Sequence, residues 1–223
     1  MIKVYLFLIL WVLVSTGVPI YYHTEKWGFN WLQACMSFFL GLNFLICLWE
    51  VCLGYHITTI HKEYTSLSRK YKKNPFEAIM KLFMHDITIN EICNGKFWSK
   101  IWSHYSLYDS SYSNRESFGF FIDVGNGWSM MIPTILMLYT MTYDINFSPI
   151  AVGVIGIISN YQMFYGTVIY FLSFFMNNRH HNKSITEVAL FVGLSNGIWF
   201  FFPLLGMYIN YELIVSGSMH LLR

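Results

Sequence analysis

Two carboxylic acids, Glu50 and Asp123, sit inside long apolar stretches of a chain in which only 12% of residues are charged. An ionisable side chain at bilayer depth costs roughly 2.5–3.5 kcal/mol on insertion scales, so each one asks for a partner or a function. The apolar stretches around them hold no Lys or Arg that could neutralise either acid. Hydrocarbon disfavours two unpaired carboxylates, and one of the pair is therefore expected to be protonated near neutral pH. A neutral carboxyl can donate a proton and a carboxylate beside it can accept one. The alternative use is to bind a ligand amine. Glu50 and Asp123 are thus the catalytic candidates.

Other polar residues fall at helical spacing near these acids. Asn43, Cys47 and Gly54 share a face with Glu50, and Asn126 follows Asp123 by one turn, ahead of Ser129 and Pro133. Ser159, Gln162 and Gly166 form another stripe, and Asn196, Trp199 and Pro203 a fourth. The simplest arrangement turns all four inward around a common pocket. For Asn43, Ser159 and Asn160 the competing role is to join helices by hydrogen bonding and close packing.

The elements that must position these residues are transmembrane helices. Hydrophobic residues make up 55% of the 223 and aromatic residues 20%, while a soluble domain is about one-quarter charged. Apolar runs near or above the ~20 residues that cross a bilayer predict spans at about 2–22, 30–57, 118–142, 147–175 and 186–214. The expectation is an all-α, polytopic membrane bundle of about five transmembrane helices, forming a single membrane domain over 1–223. The first span lacks a small-residue cleavage pattern, and Lys3, Tyr21, Tyr22 and Trp27 suit a retained span. If the spans alternate, one face receives 12 of the 14 Lys and Arg residues and the other only Lys26 and Arg223. The positive-inside rule then places the N-terminus in the cytoplasm and the C-terminus across the membrane.

The longest stretch outside the spans is a cytoplasmic amphipathic loop, 59–117. Its first half reads as helix lying at the interface, broken near Asn74-Pro75. In its second half Trp98, Trp102, Tyr105, Tyr108 and Tyr112 read as an aromatic belt. Cys35, Cys47, Cys52 and Cys93 form no metal-binding spacing and read as small packing residues. His180 and His181 lack nearby Cys or carboxylates, so no metal site is expected. There is no phosphate-cradling glycine loop, no serine-nucleophile elbow and no sign of a cofactor. The basic run Arg69, Lys70, Lys72 and Lys73 suits topology and anionic headgroups better than nucleic acid.

With these residues placed, the chain resembles the emopamil-binding protein family, the sterol delta-8, delta-7 isomerases, within the wider EXPERA group. The resemblance rests on Trp102-Ser-His-Tyr105, Asp109-Ser-Ser-Tyr112, Glu116-Ser-Phe118 and Asp123, which follow the order W-x-x-Y, D-S-R-Y, D-x-F and an acid. It continues in Tyr165-Gly166 with Tyr170-Phe171-Leu172, and in Asn196-Gly-Ile-Trp199 with Pro203. It implies a pocket open to the membrane that binds a sterol or another lipid-like, amphipathic cationic molecule. By position, Glu50 and Asp123 would be the two acids, Asn196 the orienting polar group and Trp199 the ring facing positive charge, a sound use of an aromatic face. Asn126 and Tyr165 complete the expected ligand-binding set. The chain also departs from the pattern. Ile46 stands where the family has its catalytic His, Ser111 where D-S-R-Y has Arg, and Asp123 where it has Glu. These departures favour a retained pocket with altered isomerase chemistry, needing no cofactor. Besides sterol and membrane lipids, a homodimer or membrane-complex partner is expected. A non-catalytic accessory subunit of a larger membrane complex is the alternative. The membrane would be the endoplasmic reticulum in a eukaryote or the inner membrane in a bacterium.

Overall fold

In hydrocarbon every backbone N–H and C=O must find its partner inside the protein, and an apolar run achieves that within itself by becoming a helix. The computed structural model describes residues 1–181 and 183–223, and it is built almost wholly of helix. In chain order come β1 (Ile2–Lys3), α1 (Val4–Trp27), α2 (Trp31–Lys70), α3 (Pro75–Phe83), β2 (Asp86–Ile87), α4 (Ile89–Ile92) and α5 (Gly95–Tyr105). A 3-10 turn (Ser110–Ser113) leads to α6 (Phe118–Ser129), α7 (Met131–Thr142) and α8 (Pro149–Met176). The last crossing joins α9 (Ile185–Glu187), a π-helical stretch (Val188–Leu194) and α10 (Ser195–Ser216).

Among the described residues four helices are long and apolar enough to cross a membrane, and the pair α6–α7, bent by 49°, brings the number to five when it is counted as one span. The protein is therefore an all-α, multi-pass membrane bundle. The bend has a local cause. Pro133 has no N–H to give to the carbonyl of Ser129 and its ring crowds that carbonyl, so the helix breaks there. α2 breaks at His56 (φ −110°, ψ 18°) and then continues to Lys70. The predicted loop over 59–117 thus begins as an extension of a span. Asn74 caps α3 by accepting from the Glu77 N–H at 3.2 Å, with Pro75 in the first turn, where proline is tolerated.

The chain divides into two compact units. Unit 1 comprises Met1–Ile9, Cys47–Trp128 and Ile169–Asn196, and unit 2 comprises Leu10–Ile46, Ser129–Val168 and Gly197–Arg223. In unit 1, β1 pairs antiparallel with β2 and Lys3 Nζ meets Asp86 at 2.5 Å. In unit 2, Lys26 and Arg223 both reach Asp144, at 2.9 and 3.1 Å, and His23 Nε2 lies 2.5 Å from the Leu222 carbonyl oxygen. Unit 1 carries the basic residues other than Lys26 and Arg223.

Two expectations for the 59–117 segment are corrected. Ala78, Ile79 and Leu82 of α3 are buried and α3 packs on α5, so that apolar face meets protein. Trp98, Trp102, Tyr108 and Tyr112 are buried as well. Trp98 stacks on Trp49 with centroids 5.7 Å apart, and Trp102 Nε1 donates to the Trp49 carbonyl at 2.6 Å. A dense aromatic segment looks the same in sequence whether it faces headgroups or docks on a helix. Here it docks α5 on α2.

Candidate functional site

Within unit 1 the α2–α6 contact is set by glycine. A Cβ on Gly127 would lie 2.8 Å from both Glu50 Cβ and the Val51 nitrogen and 3.0 Å from the Cys47 carbonyl oxygen, and one on Gly54 would lie 3.0 Å from Val124. Only a helix face without side chains at these points permits so close an approach. The contact brings Asp123, beside Val124, into electrostatic range of Glu50. Glu50 is buried and Asp123 half-buried. The Tyr112 phenol lies in electrostatic range of the Asp123 carboxyl, and the Tyr112 ring packs on Trp102, Tyr105 and Tyr170. Burial pushes the Tyr112 phenol well above its ordinary range, and the neighbouring Asp123 charge adds to that.

A second polar chain lies in the same unit. Asn196 Nδ2 donates to the Tyr105 hydroxyl at 3.0 Å and to the Val192 carbonyl at 2.8 Å, and Tyr105 Oη lies 3.0 Å from Tyr170 Oη. Asn196 lies two residues beyond the end of the π-helical stretch, an irregularity that often marks functional positions. Burial also raises the Tyr105 phenol, although its bonds to Tyr170 and Asn196 oppose the shift. Beyond Tyr170 is a buried ion pair. Arg179 Nη1 donates to both oxygens of Asp109, at 2.9 and 2.8 Å, and to Ser111 Oγ at 2.6 Å, while Nη2 donates to Ser173 Oγ. Asp109 is fully buried. Arg179 thus reaches Asp109 and Ser111 from the turn after α8.

Unit 2 uses its span polar groups differently. Asn43 Nδ2 donates to Thr134 Oγ1 at 2.9 Å, and Trp199 Nε1 donates to Asn43 Oδ1 at 2.7 Å. Pro203 cannot bond the Trp199 carbonyl, and Thr167 Oγ1 donates to that carbonyl at 3.3 Å. On α8 and α10 two glycine–asparagine pairs answer each other. Asn160 fills the space at Gly206 and Asn210 that at Gly156, while each amide Nδ2 bonds the carbonyl four residues back on its own helix. An apolar cavity of about 340 Å³ is lined by Trp11, Gly41, Phe44, Thr134, Tyr139 and Tyr143, among others.

The six residues singled out from the sequence are therefore divided. Glu50, Asp123, Asn126 and Asn196 belong to unit 1, and Tyr165 and Trp199 to unit 2. Asn126 is half-buried one turn beyond Asp123 on α6. Tyr165 is exposed and stacks on Tyr161 at 5.9 Å. Trp199 packs edge-on against Phe39 in addition to its bond to Asn43. Arg179, Asp109 and the Tyr105–Tyr170 pair were not foreseen as a network. The motif-like grouping of Asp109, Tyr112 and Tyr105 was the only signal for it. No group of His, Cys, Asp and Glu suited to a metal occurs among the described residues.

Fold and site together define a multi-pass helical membrane protein with a carboxyl pair set into a helix–helix contact. No model of a known protein family, no curated protein and no solved structure matches the chain.

Proposed function

We propose that the protein binds a sterol or another lipid-like molecule within the membrane, with Glu50 and Asp123 as its polar anchor. One observation carries this reading. Two carboxyls lie within electrostatic range of each other where α2 and α6 pack, while α2 up to His56, α6, α7, α8 and α10 hold no Lys or Arg. A purely structural contact would be better served by apolar residues, because a pair of acids in hydrocarbon is costly without a cation. A ligand amine, or a ring system that takes and returns a proton, gives the pair a purpose. The Tyr112 phenol lies near one of the two acids, and the faces of Trp102, Tyr105 and Tyr112 packed beside it are of the kind that suits developing positive charge. Unit 2 separately offers apolar space of a size that takes a hydrocarbon body. The supply of an arginine to Ser111 by Arg179 also fits the resemblance to sterol isomerases. The host membrane would be the endoplasmic reticulum of a eukaryote or a bacterial inner membrane.

The test is binding of a radiolabelled tertiary-amine amphiphile to the purified protein, followed by conversion of a delta-8 sterol. Glu50→Gln with Asp123→Asn is expected to weaken amine binding at least about tenfold, the loss of one charge-assisted contact. Binding unchanged in that double variant would overturn the proposal. Sterol turnover abolished by Glu50→Gln would add isomerase activity to the binding role.

A further inference from the structure

Where α2 leaves the apolar region and α6 enters it, unit 1 holds a polar feature that the carboxyl pair does not use. A cleft of about 400 Å³ is lined by His61 and Lys62 on α2 and by Ser113, Asn114, Arg115 and Glu116 on the approach to α6. Lys62 lies two turns beyond the break at His56, and Arg115 lies shortly before Phe118, the first residue of α6. With the predicted spans ending at about 57 and resuming at about 118, that position falls at the depth of lipid headgroups, on the face predicted to collect 12 of the 14 Lys and Arg residues.

The charges in the cleft are arranged for an anion. Lys62 and Arg115 are exposed, and among the described residues neither forms an ion pair. The one acid is turned back on its own loop: Asn114 Nδ2 donates to the Glu116 carboxylate at 3.2 Å, and the Glu116 N–H donates to Asn114 Oδ1 at 3.0 Å. His61 Nδ1 faces the Ser113 carbonyl oxygen at 3.0 Å. A carbonyl can only accept, so Nδ1 carries the proton and His61 closes one side of the cleft against the Ser113 backbone. A planar guanidinium and an ammonium around one cleft are the groups that recognise phosphate.

We propose that this cleft binds the phosphate of an anionic phospholipid, with the Arg115 fork taking two oxygens and Lys62 a third. A soluble phosphate has the same chemistry. The membrane source is favoured because the cleft opens where two spans reach the interface, and the cytoplasmic leaflet is rich in anionic lipid.

The test reconstitutes the full chain in phosphatidylcholine nanodiscs containing a minor fraction of phosphatidic acid, and native mass spectrometry counts the lipids retained on release. Wild type is expected to retain phosphatidic acid preferentially. Lys62→Gln with Arg115→Gln is expected to lower that retention about tenfold or more, with the thermal midpoint in detergent unchanged. Lys62→Arg keeps the charge and should keep the lipid. Lys72→Gln with Lys73→Gln, outside the cleft, should retain it as wild type does. Equal retention by the cleft double variant and wild type, or an equal fall in the Lys72/Lys73 variant, overturns the proposal. Displacement of the lipid by millimolar inorganic phosphate overturns the membrane source, and indifference to it supports that source.

Discussion

Unit 1 and unit 2 are both helical and both rich in aromatic residues, but they hold their helices together by different chemistry. Unit 1 relies on groups that ionise or nearly do: the Asp109–Arg179 pair, the phenols of Tyr105, Tyr112 and Tyr170, and the acids Glu50 and Asp123. Unit 2 relies within its spans on glycines, amides and ring faces, with its one charged cluster at Asp144 near the span ends. The difference teaches how a span polar residue should be read. An amide that bonds its own helix and a neighbour's side chain is adequately explained by packing. A carboxyl pair without a cation is not, and that is why the functional proposal rests on unit 1.

The comparison is broken most forcefully at Arg179. Arg179→Ala leaves Asp109 buried and uncompensated, and the expected loss of stability is about 3–5 kcal/mol. It can be measured as the unfolding midpoint of detergent-solubilised protein titrated with SDS. Asp109→Asn combined with Arg179→Met removes both charges and should recover most of that loss. A single variant as stable as wild type would mean that unit 1 does not depend on its ion pair.

Next in size are the glycine contacts. Gly127→Ala drives a methyl group against the backbone of α2, at 2.8 Å from the Val51 nitrogen, and should cost about 1–3 kcal/mol in the same titration. Gly206→Ala meets the side chain of Asn160, which can turn aside, so a smaller cost is expected. Gly17→Ala on α1 meets nothing within 4 Å and should gain about 0.5–1 kcal/mol from helix propensity. If Gly206→Ala proved the more damaging of the two contacts, close backbone approach would be the hallmark of unit 2 instead.

The sequence made some of this legible, for definite reasons. The helical spans follow from long apolar runs, which local composition records. Glu50 and Asp123 stand out because an acid in an apolar run is anomalous wherever it lies. What helical spacing cannot say is which stripe meets which. Asn43 shares a face with Glu50 by spacing, yet it bonds Thr134 and Trp199, and Trp199 spends its N–H on that amide. The partner of Asp109 lies 70 residues away in a short turn, and nothing local marks Arg179 as different from a topological basic residue. The buried tyrosines were hidden for a third reason, since aromatic density alone does not separate a headgroup belt from a docking face.

Two tyrosines sharpen the account within unit 1. Tyr105 Oη is bonded to Asn196 and Tyr170, whereas Tyr108, stacked on Phe191 at 4.2 Å, has a buried hydroxyl with no partner among the described residues. Tyr105→Phe should cost about 1 kcal/mol and Tyr108→Phe nothing. Burial pushes the Tyr108 phenol up to about 12, against about 10 in an unfolded chain. The unfolded state therefore releases its proton first, and stability falls as pH rises from about 10 to about 12. Tyr108→Phe should flatten that part of the pH–stability curve, while a curve unchanged by the substitution would show that the phenol is hydrated.

The smallest effect is expected at the amides of unit 2. Asn160 and Asn210 are buried, and each Oδ1 lacks a partner among the described residues even though each Nδ2 is bonded. Asn160→Ala removes one intramembrane hydrogen bond, worth about 0.6 kcal/mol on average, and with it an unsatisfied oxygen, so the two changes oppose each other. It also opens the space at Gly206, which Gly206→Ala can then fill. The double variant should be at least as stable as Asn160→Ala alone, although Gly206→Ala by itself destabilises. That reversal of sign is what packing by shape requires. If the double variant instead loses the sum of the two single effects, the asparagine acts through its hydrogen bond, and the line between the units moves to place it with the polar network of unit 1.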